Sequence, residues 1–300
     1  MLDWTVPEIS DGDWIRECVR ISGYAGSDAS FANIFLLRKK YDIRISCYKG
    51  FVIRYYSGKK SRKGYTFPLG KGDVTKALAE IEKDAAYYGR NLEFCFITEE
   101  QKNVLQEVFG DRLLFESTPD DSDYMYLSQD LANLSGKAYH KKKNHVSKFM
   151  RTYPDYYYEE IGHENKWDAY GVEDAWYYDH LQEEDDSALI EYTSIKEALD
   201  NFEELSLEGG IIYVNKVAVA MTIASRINED VRDVHFEKAI GEYAANGAFS
   251  AINRFYSQSA FESGAKWLNR EEDIGIEGLR KAKESYHPKL MLKKYSARQI

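Results

Sequence analysis

The sequence contains little cysteine, and its three cysteines, Cys18, Cys47 and Cys95, are widely separated. Neither their number nor their spacing fits a set of metal ligands. We therefore expect them to be small residues in strands and a helix rather than redox groups or nucleophiles. The histidines also lack the spacing of zinc ligands, so the sequence predicts no metal site.

Long apolar segments are absent as well. No uninterrupted apolar stretch approaches the ~20 residues that span a bilayer, and the first residues show no cationic region that leads into an apolar run. These patterns predict a cytoplasmic protein with no transmembrane segment, whose contact with a membrane would be peripheral at most.

A surplus of positive charge is missing too, since the formal net charge is -10. This balance argues against a general nucleic-acid binder, but the charges are segregated. Residues 137–151 hold six cations and no anion, whereas residues 155–208 hold eighteen acids and two lysines. Residues 275–300 hold seven cations and two acids. An acidic protein with two basic patches suggests a local anionic ligand such as a phosphate.

The length and the hydrophobic pattern predict two α+β domains. A chain of 300 residues with 44% hydrophobic and 14% aromatic residues suits two domains with buried cores. We place the boundary so that the domains cover residues 1–123 and 124–300. The second half reads as three antiparallel strands, a helix from about residue 246 to 262, a strand at 267–270, a helix at 277–286 and a closing strand at 289–295. This order predicts an antiparallel sheet joined by helical crossovers.

That order is similar to the Gcn5-related N-acetyltransferase fold. In addition, three segments resemble a bacterial family related to the C-terminal catalytic domain of phosphatidylglycerol lysyltransferases, namely LSGKAYHKKKNH (134–145), HFEKA (235–239) and NREED (269–273) with the following residues as far as Tyr286. Members of that family look like two such folds in tandem, as do the Fem-type transferases. The resemblance implies an α+β fold of two tandem Gcn5-related acyltransferase-like domains, each a mixed, mainly antiparallel sheet flanked by helices. Residues 1–123 would form a degenerate copy, and residues 124–300 would carry the active site.

The resemblance also implies a reaction. The related enzymes move an aminoacyl group from aminoacyl-tRNA, and in the wider fold the loop after the fourth strand binds pyrophosphate while the fourth and fifth strands splay. The acetyl-CoA signature of the fold is absent, because residues 241–248 read GEYAANGA instead. This difference favours a donor other than coenzyme A. No cofactor is assigned, and the acyl donor is left open between aminoacyl-tRNA and acyl-CoA.

The candidate catalytic residues are Glu237, Asp273 and Tyr286. Alternation along a strand would place Glu237 on the same face as His235, and Glu237 is the first choice of general base, with Asp273 second. Tyr286 would donate a proton to the leaving group. The competing interpretation is structural: Glu237 and Asp273 would form ion pairs that brace strand ends, and Tyr286 would pack at the end of a helix.

Further residues are candidates for binding. Free N–H groups at a helix start, and nearby cations, are expected to bind the phosphates of a donor; these residues are Gly241, Asn246, Gly247, Asn253, Arg280, Lys281 and Lys283. Polar groups at the strand ends and on the basic helix are expected to contact substrate; these are His235, Asn269, Arg270, Glu271, Lys141 and Lys142. A solvated charged surface is the alternative for the basic helix at 136–153.

The sequence therefore predicts an acyltransferase in which the acceptor attacks the donor directly, because no Ser-His-Asp or Cys-His motif is evident. The donor would be aminoacyl-tRNA, with tRNA as the implied partner. The acceptor would be an amine or hydroxyl of a small molecule, a peptide or a lipid headgroup. An acyl-CoA-dependent N-acyltransferase, and a catalytically silent protein that binds tRNA or another anion, are the alternatives.

Overall fold

The computed structural model of the chain describes residues 1–58, 62–180 and 186–300, apart from the side chain of Asp186. The helices are α1 (Gly12–Ser22), α2 (Phe31–Leu36), α3 (Val74–Tyr87), α4 (Glu99–Phe109), α5 (Ser128–Asn133), α6 (His140–Thr152), α7 (Lys166–His180), α8 (Asp186–Asp200), α9 (Gly241–Ala245), α10 (Ala248–Glu262) and α11 (Glu277–Glu284). Short 3-10 turns complete the helical structure.

The strands are β1 (Arg44–Tyr48), β2 (Phe51–Ser57), β3 (Lys63–Tyr65), β4 (Leu69–Gly70), β5 (Glu93–Ile97), β6 (Leu113–Glu116), β7 (Asp123–Leu127), β8 (Tyr156–Glu160), β9 (Leu207–Val214), β10 (Val217–Arg226), β11 (Val231–Ala239), β12 (Trp267–Asn269), β13 (Leu290–Leu292) and β14 (Tyr295–Gln299). Glu183, Glu184 and Asp185 of the acidic stretch lie outside the described residues.

The chain forms two compact units. Unit 1 comprises Met1–Tyr124, Glu271–Lys281 and Leu290–Ile300, and unit 2 comprises Met125–Arg270 and Ala282–Lys289. The boundary at residue 124 is close to the predicted one, but two later segments pack with unit 1. For the last segment the reason is hydrogen bonding, because β14 lies between β5 and β6 in the sheet of unit 1. We predicted a single closing strand at 289–295; the structure has β13 and β14 there instead.

The sheet of unit 1 has the strand order β1-β2-β3-β5-β14-β6, and β4 pairs with β2. Strands β3 and β5 are parallel, and the other neighbours are antiparallel. Leu78, Ile81 and Leu105, from α3 and α4, are fully buried in the hydrophobic core that covers this sheet. The capping box that the sequence indicates at Thr98 and Gln101 is present at the start of α4.

Unit 1 also contains a buried charge network that the sequence did not reveal. Lys294 forms ion pairs with Asp123 at 2.6 Å and with Asp28 at 3.1 Å, and Arg54 pairs with Asp28 at 3.0 Å. The exposed fraction of each of these four side chains is 4% or less. Because every charge has an opposite partner, the network links β2, Asp123 and the C-terminal segment within unit 1.

In unit 2 the sheet runs in the order β7-β12-β11-β10-β9-β8. Only β11 and β12 are parallel among these neighbours, as expected for strands joined through a helix, here α10. Helix α10 contributes Ala248, Ala251 and Ile252 to the core with Phe149 of α6. The basic helix is shorter than the predicted 136–153, because Gly136 adopts a positive φ of 85° and α6 begins only at His140.

Candidate active site

The parallel strands β11 and β12 part at the centre of the unit 2 sheet. Their pairing covers Val231–Asp233 against Trp267–Asn269, and β12 then ends. Strand β11 continues to Ala239 and keeps its pairing with β10. Glu237 lies in this continuing half of β11, and Arg270 directly follows the end of β12. The divergence of the two strands therefore leaves room beside them for the polar side chains described next.

Glu237 forms a buried ion pair with Arg270. Only 13% of each side chain is exposed. Asn253 of α10 donates a hydrogen bond from Nδ2 to Glu237 Oε1 at 2.9 Å. The carboxylate is thus held from two sides, by a strand end and by a helix. A buried pair of this kind is costly to desolvate and depends on such additional hydrogen bonds.

Two cationic side chains lie beside the ring of Tyr286. Arg270 Cζ lies 4.8 Å from the centroid of the Tyr286 ring, and Lys142 Nζ lies 3.7 Å from it. The Tyr286 hydroxyl is within 3.5 Å of Ser250 Oγ, on α10. Burial raises the pKa of Tyr286, and the Arg270 charge opposes this rise. We call Glu237, Arg270, Asn253, Lys142 and Tyr286 the Glu237 cluster; all of its members belong to unit 2.

Lys142 has the most unusual environment in the cluster. Burial and the neighbouring Arg270 charge lower the pKa of its ammonium group to about 8, although the Glu237 carboxylate acts in the opposite direction. Lys142 forms no ion pair with any residue that the structure describes. With this pKa a minor fraction of the amine, about a tenth, is uncharged at pH 7, and that fraction can accept a proton or act as a nucleophile.

Two polar atoms of the cluster are buried without a partner. Arg270 Nη1 and Asn253 Oδ1 have no hydrogen bond to any part of the chain that the structure describes. A buried donor or acceptor without a partner is uncommon, because it keeps its desolvation cost. Together the two atoms offer one donor and one acceptor, which suits a ligand that carries both a carbonyl oxygen and an N–H or O–H group.

A β-bulge places His235 away from this cluster. Glu237 is paired with Thr222, whereas Asp233 is paired with Ser225, and the register shifts by one residue at His235. Since residues three apart on β10 face opposite ways, Glu237 and Asp233 lie on opposite faces. His235 is on the Asp233 face, with Nε2 2.8 Å from Ser225 Oγ and Nδ1 3.5 Å from Asp233 Oδ2. The expectation that His235 and Glu237 share a face was wrong, because alternation assumes a regular strand.

Asp273 belongs to unit 1, where its carboxylate accepts four hydrogen bonds. Arg280 Nε and Nη2 each donate to it at 2.8 Å, Tyr124 donates at 2.7 Å, and the Gly275 backbone donates at 2.8 Å. The bonds from Arg280, followed by those from Tyr124 and Gly275, lower the pKa of Asp273 to about 2, against the effect of burial. A carboxylate with this pKa is a weak base, so its contacts do not favour the predicted catalytic role.

The other residues of this segment also have partners that the sequence did not predict. Glu271, in unit 1, accepts a hydrogen bond from Asn33 Nδ2 at 2.9 Å. Arg280 is committed to Asp273 and Asp120, and Lys281 forms an exposed ion pair with Glu277. In unit 2, Lys283 is buried and its carbonyl accepts from Tyr126. The phosphate site predicted from Arg280, Lys281 and Lys283 stays a prediction.

The turn between α9 and α10 packs closely against α6. Gly247 adopts a φ of 104°, and a Cβ there would lie inside van der Waals contact with the His145 carbonyl oxygen. Asn246 Nδ2 donates to Tyr153 at 2.8 Å, and Lys148 Nζ donates to the Ala245 carbonyl at 3.3 Å. Gly241 also has a positive φ, of 49°. Asn246 and Gly247 thus form a turn that packs against α6, whereas Gly241 lies at the start of α9.

Some residues at the site were missed or placed differently by sequence reasoning. Ser250 and Tyr126 had not been singled out, yet Ser250 lies beside Tyr286, and the ring of Tyr126 is 5.8 Å from Arg270 Cζ. Spacing along α10 could have indicated Ser250, three residues before Asn253. Asn269 is fully buried at the end of β12. Lys141 is exposed, unlike its neighbour Lys142.

Comparison with known proteins identifies the family. The family model described as phosphatidylglycerol lysyltransferase, C-terminal, matches residues 19–298. The chain belongs to this family. A conserved protein of unknown function from Bacteroides thetaiotaomicron VPI-5482 is 32% identical over 100% of both chains, with a TM-score of 0.93. No curated protein matches the chain.

Two more distant structures show the same fold. The C-terminal domain of a putative lysylphosphatidylglycerol synthetase from Agrobacterium fabrum is 13% identical, with a TM-score of 0.68 over 98% of this chain and 92% of that one. L-PGS from Bacillus licheniformis is 16% identical, with a TM-score of 0.69 over 98% and 94%. The predicted α+β fold of two tandem Gcn5-related acyltransferase-like domains is confirmed, and the chain is related to transferases. Among the described residues, no helix has the length and apolarity needed to cross a membrane.

Proposed function

We propose that this chain is an acyltransferase that works at the Glu237 cluster and takes an aminoacyl group from aminoacyl-tRNA. The observation that carries the proposal is the pair Arg270 and Lys142. A buried guanidinium whose Nη1 has no hydrogen bond to a described residue lies against the same tyrosine ring as an amine that forms no ion pair with a described carboxylate. Acyl transfer requires a donor for the oxyanion and a base for the acceptor, and this pair offers both.

Each member of the cluster has a role in this reaction. Arg270 Nη1 donates to the acyl oxygen as negative charge develops there. Lys142 accepts the proton that the attacking amine or hydroxyl loses. Glu237 was the predicted general base, but its ion pair with Arg270 favours a positioning role, in which it holds the guanidinium in place. Asn253 Oδ1 accepts from an N–H or O–H group of the substrate, and Tyr286 supports both cations.

Two features favour aminoacyl-tRNA over acyl-CoA as the donor. First, α6 packs on the turn before α10, through His145, Tyr153 and Lys148. In the acetyl-CoA-dependent members of the fold this turn is where the resemblance places the pyrophosphate. Second, Lys141 and Lys143 of α6 are exposed and suit the phosphates of an RNA backbone. The acceptor is an amine or hydroxyl of a small molecule, peptide or lipid headgroup.

A transfer assay with isotopically labelled donors tests the proposal. Charged tRNAs and acetyl-CoA are each offered with two acceptors, phosphatidylglycerol vesicles and a lysine-containing peptide. We expect labelled product from a charged tRNA, with a rate that rises with pH and levels off above about 8, as Lys142 loses its proton. Lys142→Gln and Arg270→Gln should each lower the rate by about 100-fold or more, since single acid–base groups and oxyanion donors contribute that much.

Lys216→Gln is the control, because Lys216 is an exposed cation of the same unit, in the turn between β9 and β10, and has no role in the proposed reaction. It should leave the rate on a good acceptor within about twofold, as surface substitutions usually do. Product from acetyl-CoA alone would assign the chain to the acyl-CoA-dependent transferases. Binding of tRNA without transfer from any donor would instead make it a silent member of the family, and either result overturns the proposal.

A further inference from the structure

The arrangement around Lys142 has a second consequence. Its amine reaches the Glu237 cluster from α6, whereas Lys141 and Lys143 of the same helix are exposed. Lys142 Nζ lies against the Tyr286 ring, close enough to Arg270 and Glu237 for both charges to affect it. No described residue forms an ion pair with Lys142, and the effect of the Glu237 carboxylate is smaller than the combined effects of burial and Arg270. An amine with a cationic neighbour in a partly desolvated position is a typical activated nucleophile.

We propose that Lys142 is a self-acylation site, at which an acyl donor that finds no acceptor leaves its acyl group on the lysine amine. This inference rests on the proposed function, since it uses the same donor in the same cluster. The nitrogen lone pair forms the C–N bond, and the ester bond to the donor breaks. The leaving hydroxyl departs with the bonding electrons and takes up the proton that the amine loses.

Acylation of Lys142 stops further transfer to the acceptor. An amide is more stable than the ester from which it forms, so the acylated lysine is not an intermediate on the way to product. Acylation also removes the amine that accepts the proton from the acceptor. The modified protein is therefore inactive, and the supply of acceptor relative to charged donor sets how much active protein remains.

The intrinsic reactivity of Lys142 can be tested without any enzymatic activity. The intact protein is treated briefly with a limiting amount of N-succinimidyl acetate at pH 7.5, and peptides are quantified by mass spectrometry. At this pH about a quarter of an amine of pKa 8 is uncharged, against about 0.1% for an ordinary lysine of pKa near 10.4. After allowance for the lower nucleophilicity of a weaker base, we expect Lys142 to react about tenfold faster than Lys141 and Lys143.

The second experiment uses charged tRNA as the acyl donor. Without acceptor, the wild-type protein should gain one aminoacyl mass at Lys142, and the Lys142→Arg variant should gain none. Equal chemical labelling of Lys141, Lys142 and Lys143 between pH 7 and 9 would overturn the proposal. Transfer to an acceptor with no adduct on Lys142 would also overturn it, while leaving the proposed function intact. Fast chemical labelling of Lys142 with neither transfer nor adduct from charged tRNA would instead refute the proposed function, and the self-acylation with it.

Discussion

The ion pair between Glu237 and Arg270 gives the sharpest prediction. Glu237→Gln preserves the size of the side chain and one oxygen that can accept from Asn253, but it removes the negative charge. Arg270 then remains buried, 13% exposed, against a tyrosine ring that also carries Lys142. Two positive charges are left in the cluster with no carboxylate to balance them.

The magnitude follows from burial. Removing one partner of a buried ion pair costs about 3–5 kcal/mol, because the other charge stays desolvated. We expect the lower end, about 3 kcal/mol, since Asn253 keeps an acceptor and Arg270 keeps slight access to water. For a unit of this size, that corresponds to a fall in Tm of roughly 6–12 °C. The pKa of Lys142 should also fall below about 8, because Glu237 is the group that raises it.

Calorimetry at pH 7 measures the change in Tm, and reductive methylation with ¹³C followed by NMR titration reports the pKa of Lys142. Glu242→Gln is the matched control, because Glu242 is an exposed carboxylate of the same unit; its Tm should stay close to that of the wild type. The double variant Glu237→Gln/Arg270→Gln should regain part of the lost stability, because it removes the unpaired charge. If Glu237→Gln costs less than about 1 kcal/mol and the double variant is less stable still, the reasoning from burial fails.

Three further predictions concern stability. Because hydrogen bonds from Arg280 and others lower the pKa of Asp273 to about 2, its stabilisation is present above pH 4 and lost toward pH 2. Asp273→Asn should therefore cost about 1–2 kcal/mol in urea unfolding at pH 7, allowing for the partial exposure of Arg280, and a cost that did not shrink on acidification would contradict this. Burial raises the pKa of Glu173 to about 7, and neither of its oxygens has a hydrogen bond to a described residue. As pH rises through 7, the buried Glu173 carboxyl ionises and the protein loses stability. Glu173→Met should therefore stabilise the protein by about 1–3 kcal/mol at pH 8 and by less at pH 5. Destabilisation at pH 8 would refute the assignment. Gly247→Ala should lower Tm by several degrees, because a Cβ meets the His145 carbonyl at a positive φ, while Gly278→Ala, where a Cβ meets nothing within 4 Å, should not.

Sequence reasoning assigned the elements well where the signals were local. Short-range patterns predict a hairpin at residues 42–56, a capping box at Thr98 and a strand at residues 156–161, and each has its counterpart in the structure. The order of strands and helices in the second half was sufficient to indicate the fold. Errors occurred where backbone conformation changes without a strong signal. One example is the β-bulge at His235, where the regular alternation assumed for β11 ends.

The candidate site was only partly predictable. Glu237, Arg270, Asn253, Lys142 and Tyr286 were all named from the sequence, but in different roles. Asp273 was grouped with Glu237 because both are acids near strand ends. The structure instead gives Asp273 partners that are all in unit 1 and gives Glu237 partners in unit 2.

By itself, the sequence determined the kinds of elements, their order and the family to which the chain belongs. These features depend on local conformational preference and on motifs that lie close together along the chain. Only the tertiary structure decided which charges meet. The bulge at His235 sets the face on which Glu237 lies, and contacts between residues more than a hundred positions apart, such as Lys142 and Tyr286, set the pKa of the lysine amine. The physical reason is that ion pairing and desolvation depend on distance in space, which residue order alone does not specify.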